Sequence, residues 1–419
     1  MKDNLTKLEK KWILYDVGNS AFTLLVSTIV PIYFNYLAER AGISSVNYMA
    51  YWGYALSIST LIVAILWPTL GTLSDLEHWK KKIFLCSLVI GAAGCVLLGV
   101  LTSWIWFLGT FILAKSAYSL SLVLYDSMLS DVTEESRMDE ISAHGYAWGY
   151  IGSCIPFVFC LLLVLYYDKV GLTIETAMAV SFLIVAVWWV LMTVPLLKSY
   201  CQTHFVPADS HPVRASFRRL GHVWAELKQK KKILLFLVAF FFYIDGVYTI
   251  IDMATAYGTA LGLDSTGLLL ALLVTQIVAF PSALIFGRLS RRISAAKLIR
   301  VCIIAYFCIA VYGLFLVRLV QFWILAVCVG LFQGAIQSLS RSYFAKLIPA
   351  EQSGEYFGIY DICGKGASLV GTSLVALVSQ ISGSVNTGVG ALAVMFLLGA
   401  VFFLMTEKWA DTEPEPRIN

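Results

Sequence analysis

One pattern constrains this chain more than any other. Apolar runs of about 18 residues or more, the length a spanning helix needs, recur from end to end with short polar segments between them. In lipid a backbone must satisfy its own hydrogen bonds, which leaves only helices or a closed barrel. Barrel strands run to about 10 residues, so these runs are helices. Only 13% of the 419 residues are charged, about half the share of a soluble globular protein. The expected fold class is an all-α polytopic membrane protein.

Twelve spans can be drawn, at about 13–37, 48–73, 82–102, 104–126, 144–167 and 173–196, then 232–257, 265–289, 295–317, 319–342, 356–380 and 385–406. The longest polar stretch, 197–231, separates six spans from six. The expected organisation is a bundle over 1–196, a linker over 197–231 and a second bundle over 232–419 with a short tail. Val213 to Leu227 of the linker can form an amphipathic helix on the membrane surface or remain a solvated basic segment. The first 12 residues are polar and the first apolar run is a full span, so no cleavable signal peptide is read.

Orientation follows from lysine and arginine, which concentrate in cytoplasmic segments. With the N-terminus inside, the outer loops hold only Arg40, Lys169 and Arg318 of the 30 basic residues, and Lys115 and Lys365 lie within spans. Both termini and the linker are therefore expected in the cytoplasm, in a multi-pass membrane protein.

The two halves repeat each other. The second span ends in Gly71-x-Leu73-Ser74-Asp75, followed by Lys80, Lys81 and Lys82. The eighth ends in Gly287-x-Leu289-Ser290-Arg291. Tyr15-Asp16 opens the first span and Tyr243-x-Asp245 stands early in the seventh. Repeated halves joined by a cytoplasmic loop are the pattern of a secondary transporter with its site between them.

Gly71-x-Leu73-x-Asp75 with its basic cluster resembles the loop signature of the major facilitator superfamily, with Trp79 where that pattern commonly has glycine. Tyr15-Asp16-x-x-Asn19-Ser20-Ala21-Phe22 resembles the opening of the autophagy-related vacuolar amino-acid effluxer family and its bacterial relatives. So do Tyr243-x-Asp245-Gly246-Val247, Gln333-Gly334-x-x-Gln337-x-Leu339-Ser340-Arg341-Ser342 and Glu355-x-Phe357-Gly358-x-Tyr360-Asp361. The resemblance covers essentially the whole chain. It implies two pseudo-symmetric six-helix bundles, transport by alternating access, and a cavity lined by spans 1, 4, 7 and 10. It also implies a place in the bacterial cell membrane, close helix approach at Gly71 and a latch of one gated state at Asp75. Arg291 and Arg341 stand at the same membrane face, where they can gate or simply follow the positive-inside pattern.

Polar residues fall in stripes on those spans. Span 1 carries Asp16 and Asn19, span 4 Lys115, Tyr118 and Ser119, and span 7 Asp245, Tyr248 and Asp252. Span 10 carries Gln333 and Gln337, and span 11 Asp361 and Lys365. These are the candidate substrate-binding or coupling residues. Asp245 lies about 13 residues into its run, roughly 20 Å deep at 1.5 Å per residue. A carboxylate at that depth costs about 2.5–3.5 kcal/mol on insertion scales. Asp252 follows two turns later on the same face. Lys115, Asp245 and Lys365 are closest to the midplane, where they can bind a zwitterion or small anion, or neutralise one another. Asp361 and Lys365, four apart, can pair on one helix.

The nine cysteines are scattered and the five histidines lie in loops or at helix ends. No HExxH, CxxC or other metal spacing occurs, and no GxxxxGK[ST] that would cradle ATP. Neither a cofactor, a metal, a nucleic-acid partner nor an enzymatic activity is expected. The reading is a secondary transporter for a small polar solute, an amino acid or related metabolite being favoured. It would be coupled to protons or another ion, surrounded by lipid, and would work as a monomer. The rival readings are an exporter of lipids or amphipathic drugs, and a sensor that keeps the transporter fold without transporting.

Overall fold

The computed structural model describes residues 4–43, 45–207 and 229–410. The Val213–Leu227 segment considered above lies outside the described residues. The long helices are α1 Lys7–Arg40, α2 Ser45–Ser74, α3 Trp79–Leu98, α4 Trp104–Ser127, α5 Met138–Leu165 and α6 Ile174–Ser199. They continue as α7 Lys231–Ala260, α8 Ser265–Leu289, α9 Ala295–Gly313, α10 Leu319–Leu347, α11 Ser353–Ser382 and α12 Leu392–Ala410. Short helical turns at Leu129–Val132, Glu135–Arg137, Ala350–Gln352 and Val385–Gly390 lead between them. Among the described residues eleven helices are long and apolar enough to cross a membrane, and α2 adds the apolar stretch Tyr51–Trp67. The fifth and eleventh helices begin ahead of the sequence expectation, because polar residues of the preceding turns continue into them.

Local chemistry starts and stops these helices. Thr6 and Glu9 form a reciprocal capping box at α1, satisfying backbone donors that a helix start leaves open. Asp264 caps α8 through the Gly267 amide at 2.7 Å. α1 and α7 end alike. Gly42 and Gly262 both have φ of 72°, and the next amide reaches back to Ala38 O and to Gly258 O. That is the left-handed helix stop glycine makes without a Cβ penalty.

Contacts group the chain into two compact units. The first comprises 1–134, 148–216 and 350–358; the second comprises 135–147, 217–349 and 359–419. Their internal packing repeats. In the first unit α1 packs on α6, α3 on α4 and α6, and α2 on α4. In the second, α7 packs on α12, α9 on α10 and α12, and α8 on α10. A matching hydroxyl pair joins the first and fourth helix of each set: Tyr15 with Ser121 at 2.8 Å, and Tyr243 with Ser340 at 2.7 Å. Outward faces stay apolar, as with Leu85, Val89 and Val96 of α3, which suits helices solvated by lipid tails.

Candidate functional site: two polar interiors and two helix-end clusters

In the first unit the polar stripes of α1 and α4 form one hydrogen-bonded chain. Tyr125 donates to Asp16 Oδ2 at 3.1 Å and Asn19 donates to Asp16 Oδ1 at 3.3 Å. The Tyr118 hydroxyl reaches Asn19 Oδ1 at 3.4 Å and Thr23 at 2.7 Å. Lys115 is half-buried with its Nζ 5.1 Å from the Tyr118 ring centre, within range of a cation–π contact. Asp16, Asn19, Tyr118 and Ser119 are all buried. Trp12 stacks on Tyr125 at 4.3 Å and donates to its carbonyl, fixing the ring that carries the hydroxyl to Asp16.

The second unit handles its acid differently. Asp245 is wholly buried. Its Oδ1 accepts from the Gly371 amide of α11 at 3.0 Å and from Thr249 at 3.3 Å. Its Oδ2 has no hydrogen-bond partner among the described residues. Gly371 permits the approach: a Cβ there would stand 2.4 Å from Asp245 Oδ1. Asp252, on the same helical face, is exposed, so the shared face does not give the two acids one environment. Tyr248 is half-buried. Gln333 and Gln337 are buried, and Gln333 Oε1 also has no partner among the described residues. Asp361 and Lys365 form the i,i+4 ion pair at 2.7 Å. Phe240 stacks on Tyr360 at 4.0 Å beside that pair's helix turn.

The signature loop after α2 is tied to the start of α11, both within the first unit. Asp75 is completely buried and accepts from the amides of Gly354 at 2.8 Å and Glu355 at 2.9 Å. A helix N-terminus offers such open amides and a favourable dipole to an anion. Lys80, also completely buried, donates to Ser353 at 2.8 Å and lies 3.8 Å from Asp75 and 3.9 Å from Asp131. Trp67 donates to Gly354 O at 3.1 Å. A Cβ on Gly71 would stand 2.8 Å from the Trp67 indole nitrogen, and one on Gly358 only 1.2 Å from it. The loop turns at His78, the one non-glycine residue with a left-handed backbone among those described.

The repeat of this loop after α8 meets the start of α5, within the second unit. Arg291 grips Glu140 with two hydrogen bonds, at 2.6 and 3.2 Å. Lys346 pairs with Asp139 at 2.7 Å. Arg341 is buried, donates to Ser142 Oγ at 2.8 Å and Ser142 O at 2.9 Å, and lies 4.4 Å from the Tyr146 ring centre. Gly287 allows the crossing, since a Cβ there would be 2.5 Å from Ala143.

Sequence reasoning singled out Gly71, Asp75, Arg291 and Arg341 but missed Glu140, Ser142, Asp131 and Trp67. Their signal was weak. Each is one polar or aromatic residue at a helix end, and its partner lies far away in sequence.

Among the described residues no group of three or more His, Cys, Asp or Glu could hold a metal ion. Two repeated bundles with polar stripes and helix-end clusters define a transporter of the major facilitator class, and solved structures share that fold. The Escherichia coli fucose:proton symporter FucP superposes with a TM-score of 0.73 at 15% identity, covering 96% of this chain and 97% of that one. A bacterial homologue of the iron transporter ferroportin gives 0.68 at 12% identity over 95% and 99%. The chain belongs to the family described as vacuole effluxer Atg22 like, whose model matches residues 6–410. It is 40% identical to the uncharacterized MFS-type transporter YxiO of Bacillus subtilis strain 168, over 100% of this chain and 99% of that protein. It is 23% identical to autophagy-related protein 22 of Coccidioides immitis, over 86% and 73%.

Proposed function

We propose that this chain moves a small polar solute, an amino acid or a related metabolite, across the cell membrane by alternating access driven by protons. The observation that carries the reading is Asp245, a carboxyl buried at membrane depth whose Oδ2 has no hydrogen-bond partner among the described residues. A buried polar group left unsatisfied costs about 1–3 kcal/mol, and more when charged. A proton carried on Oδ2 removes the charge, and exposing the group to water removes the penalty. Binding and release of a proton would thus be tied to whether α7 and α11 stay closed over the carboxyl.

In this reading the Asp16–Asn19–Tyr118–Lys115 chain receives the solute. Lys115 offers a cation for a carboxylate, and the hydroxyls and amide offer donors and acceptors. Tyr248, Asp252, Gln333, Gln337 and the Asp361–Lys365 pair serve the same role from the second unit. The Asp75 and Arg291 clusters are latches that hold one gated state. The placement of basic residues supports cytoplasmic termini and cytoplasmic latches; the carrier would work as a monomer. Amino acids are favoured by the mixed charges, and the family description as a vacuole effluxer supports transport without naming a cargo.

The test is purified protein in liposomes, screened with radiolabelled amino acids under an imposed pH gradient. Uptake of one class should rise with the gradient and collapse with a protonophore. Uptake that ignores both would sink the proton drive, and no uptake of any amino acid would sink the solute class.

A further inference from the structure

The segment leaving α6 does more than lead away from the bundle. Residues 200–206 lie across the loop that carries Asp75. Val206 donates its amide to Asp75 O at 2.8 Å and pairs with Leu76 as an isolated parallel β-bridge. Gln202 donates to Ser74 O at 3.0 Å, and Lys81 reaches the Tyr200 carbonyl at 3.5 Å. The strap is pinned from beneath by Asp131, whose side chain is fully buried. Asp131 Oδ1 accepts from the Thr203 amide and hydroxyl at 3.2 and 2.8 Å and from the His204 amide at 2.9 Å, with His204 Nδ1 at 3.0 Å. Its Oδ2 accepts from the Tyr200 hydroxyl at 2.5 Å and faces Lys80 at 3.9 Å. Burial, and the Asp131 carboxylate beside it, push the Tyr200 phenol well above its ordinary value, so it stays a donor.

One carboxylate therefore holds the strap through both oxygens and, at Oδ2, also faces the lysine that meets Ser353 and Asp75. The strap in turn holds the Ser74–Leu76 backbone from which Asp75 projects. A plain tether would need neither a fully buried anchor nor backbone pairing with the loop.

We infer that residues 200–206 are a positioning brace for the Asp75 latch, set by Asp131, so that the linker following α6 governs how firmly the latch closes. The inference rests on reading the Asp75 cluster as a latch. Pulling the strap off frees the Asp75 main chain and leaves Asp131 with Lys80 alone. Lys80 then leans toward Asp131, and Ser353 and the α11 N-terminus lose a partner.

The experiment measures latch closure directly and needs no solute. Spin labels go on Glu77→Cys and Glu351→Cys, in protein whose exposed Cys86, Cys201 and Cys308 are replaced, and double electron–electron resonance reads their distance in lipid nanodiscs. Val206→Pro removes the amide donor to Asp75 O and leaves every latch side chain in place. It should lower the ratio of short to long distance populations about fivefold, the effect of one lost hydrogen bond. Val206→Ala keeps the amide and should match the parent. Asp75→Asn is the control for the latch itself and should lower the ratio further. If Asp75→Asn lengthens the distance and Val206→Pro does not, the brace is overturned and the latch stands. If Asp75→Asn changes nothing, both fall. Should Val206→Pro fail to fold, Gln202→Ala with Thr203→Val is read on the same scale, and a parent-like distance from that pair overturns the brace.

Discussion

The acids near the start of the two repeats make an instructive pair. Tyr15 and Tyr243 occupy matching places and make matching hydroxyl bonds. Asp16 follows its tyrosine directly, whereas Asp245 stands one residue further on. One residue turns a helix by about 100°. Asp16 consequently meets the Tyr125 hydroxyl and Asn19, and both its oxygens are occupied. Asp245 meets the Gly371 backbone and Thr249 through one oxygen and leaves the other without a hydrogen bond among the described residues. A repeat can therefore preserve the packing of a bundle while a single-residue offset changes what its acid can do. On the proposed reading the first holds a fixed polar network and the second carries a proton.

Breaking that contrast is the strongest test. Asp245→Asn should abolish stimulation of uptake by a pH gradient while leaving solute exchange across liposomes without a gradient. Asp16→Asn should keep the stimulation, with exchange slowed about fivefold for roughly one lost hydrogen bond. Equal behaviour of the two variants would dissolve the distinction. Gly371→Ala sharpens it from the other side. The added methyl would stand 2.3 Å from Thr249 Oγ1 and 2.4 Å from Asp245 Oδ1. Forcing them apart should cost about 1–3 kcal/mol, seen as a lower thermal midpoint in detergent together with weakened gradient stimulation. The smallest effect should come from what the repeats share. Tyr15→Phe and Tyr243→Phe each remove one interhelical hydroxyl bond, worth about 0.6 kcal/mol in a membrane protein. Their midpoints should drop by similar small amounts, and a large inequality would show that the two bundles do not use the bond alike.

Much of this architecture was legible in the sequence because lipid permits so few solutions. Run lengths marked the helices, and the Gly-x-Leu-Ser echo marked the matching loops after α2 and α8. The four-residue spacing of Asp361 and Lys365 offered the pair that forms. Other features were hidden for definite reasons. A helical wheel says that Asp245 and Asp252 share a face, but not that α11 covers one and leaves the other exposed. Asp75 was singled out by resemblance, yet its amide partners lie about 280 residues away and are backbone atoms, which carry no side-chain signal. Lys80 looked like one more charge in a basic run, and only the structure sets it fully buried between two aspartates. Asp131 and the 200–206 strap gave no sign, since a single acid in a short turn has no periodicity to read.

The Trp67 indole over Gly358 has a practical consequence. The ring is buried and its nitrogen is engaged with Gly354 O, so it cannot yield to a side chain built 1.2 Å away. An alanine at 358 and the joined loop are mutually exclusive, whereas a conformation with α11 drawn off Trp67 has no such conflict. A differential penalty of about 5.5 kcal/mol is enough to invert a two-state equilibrium from 99:1 to 1:99. One methyl group at that position is thus a chemical wedge. It would disfavour the joined loop with no ligand, antibody or change to either polar interior.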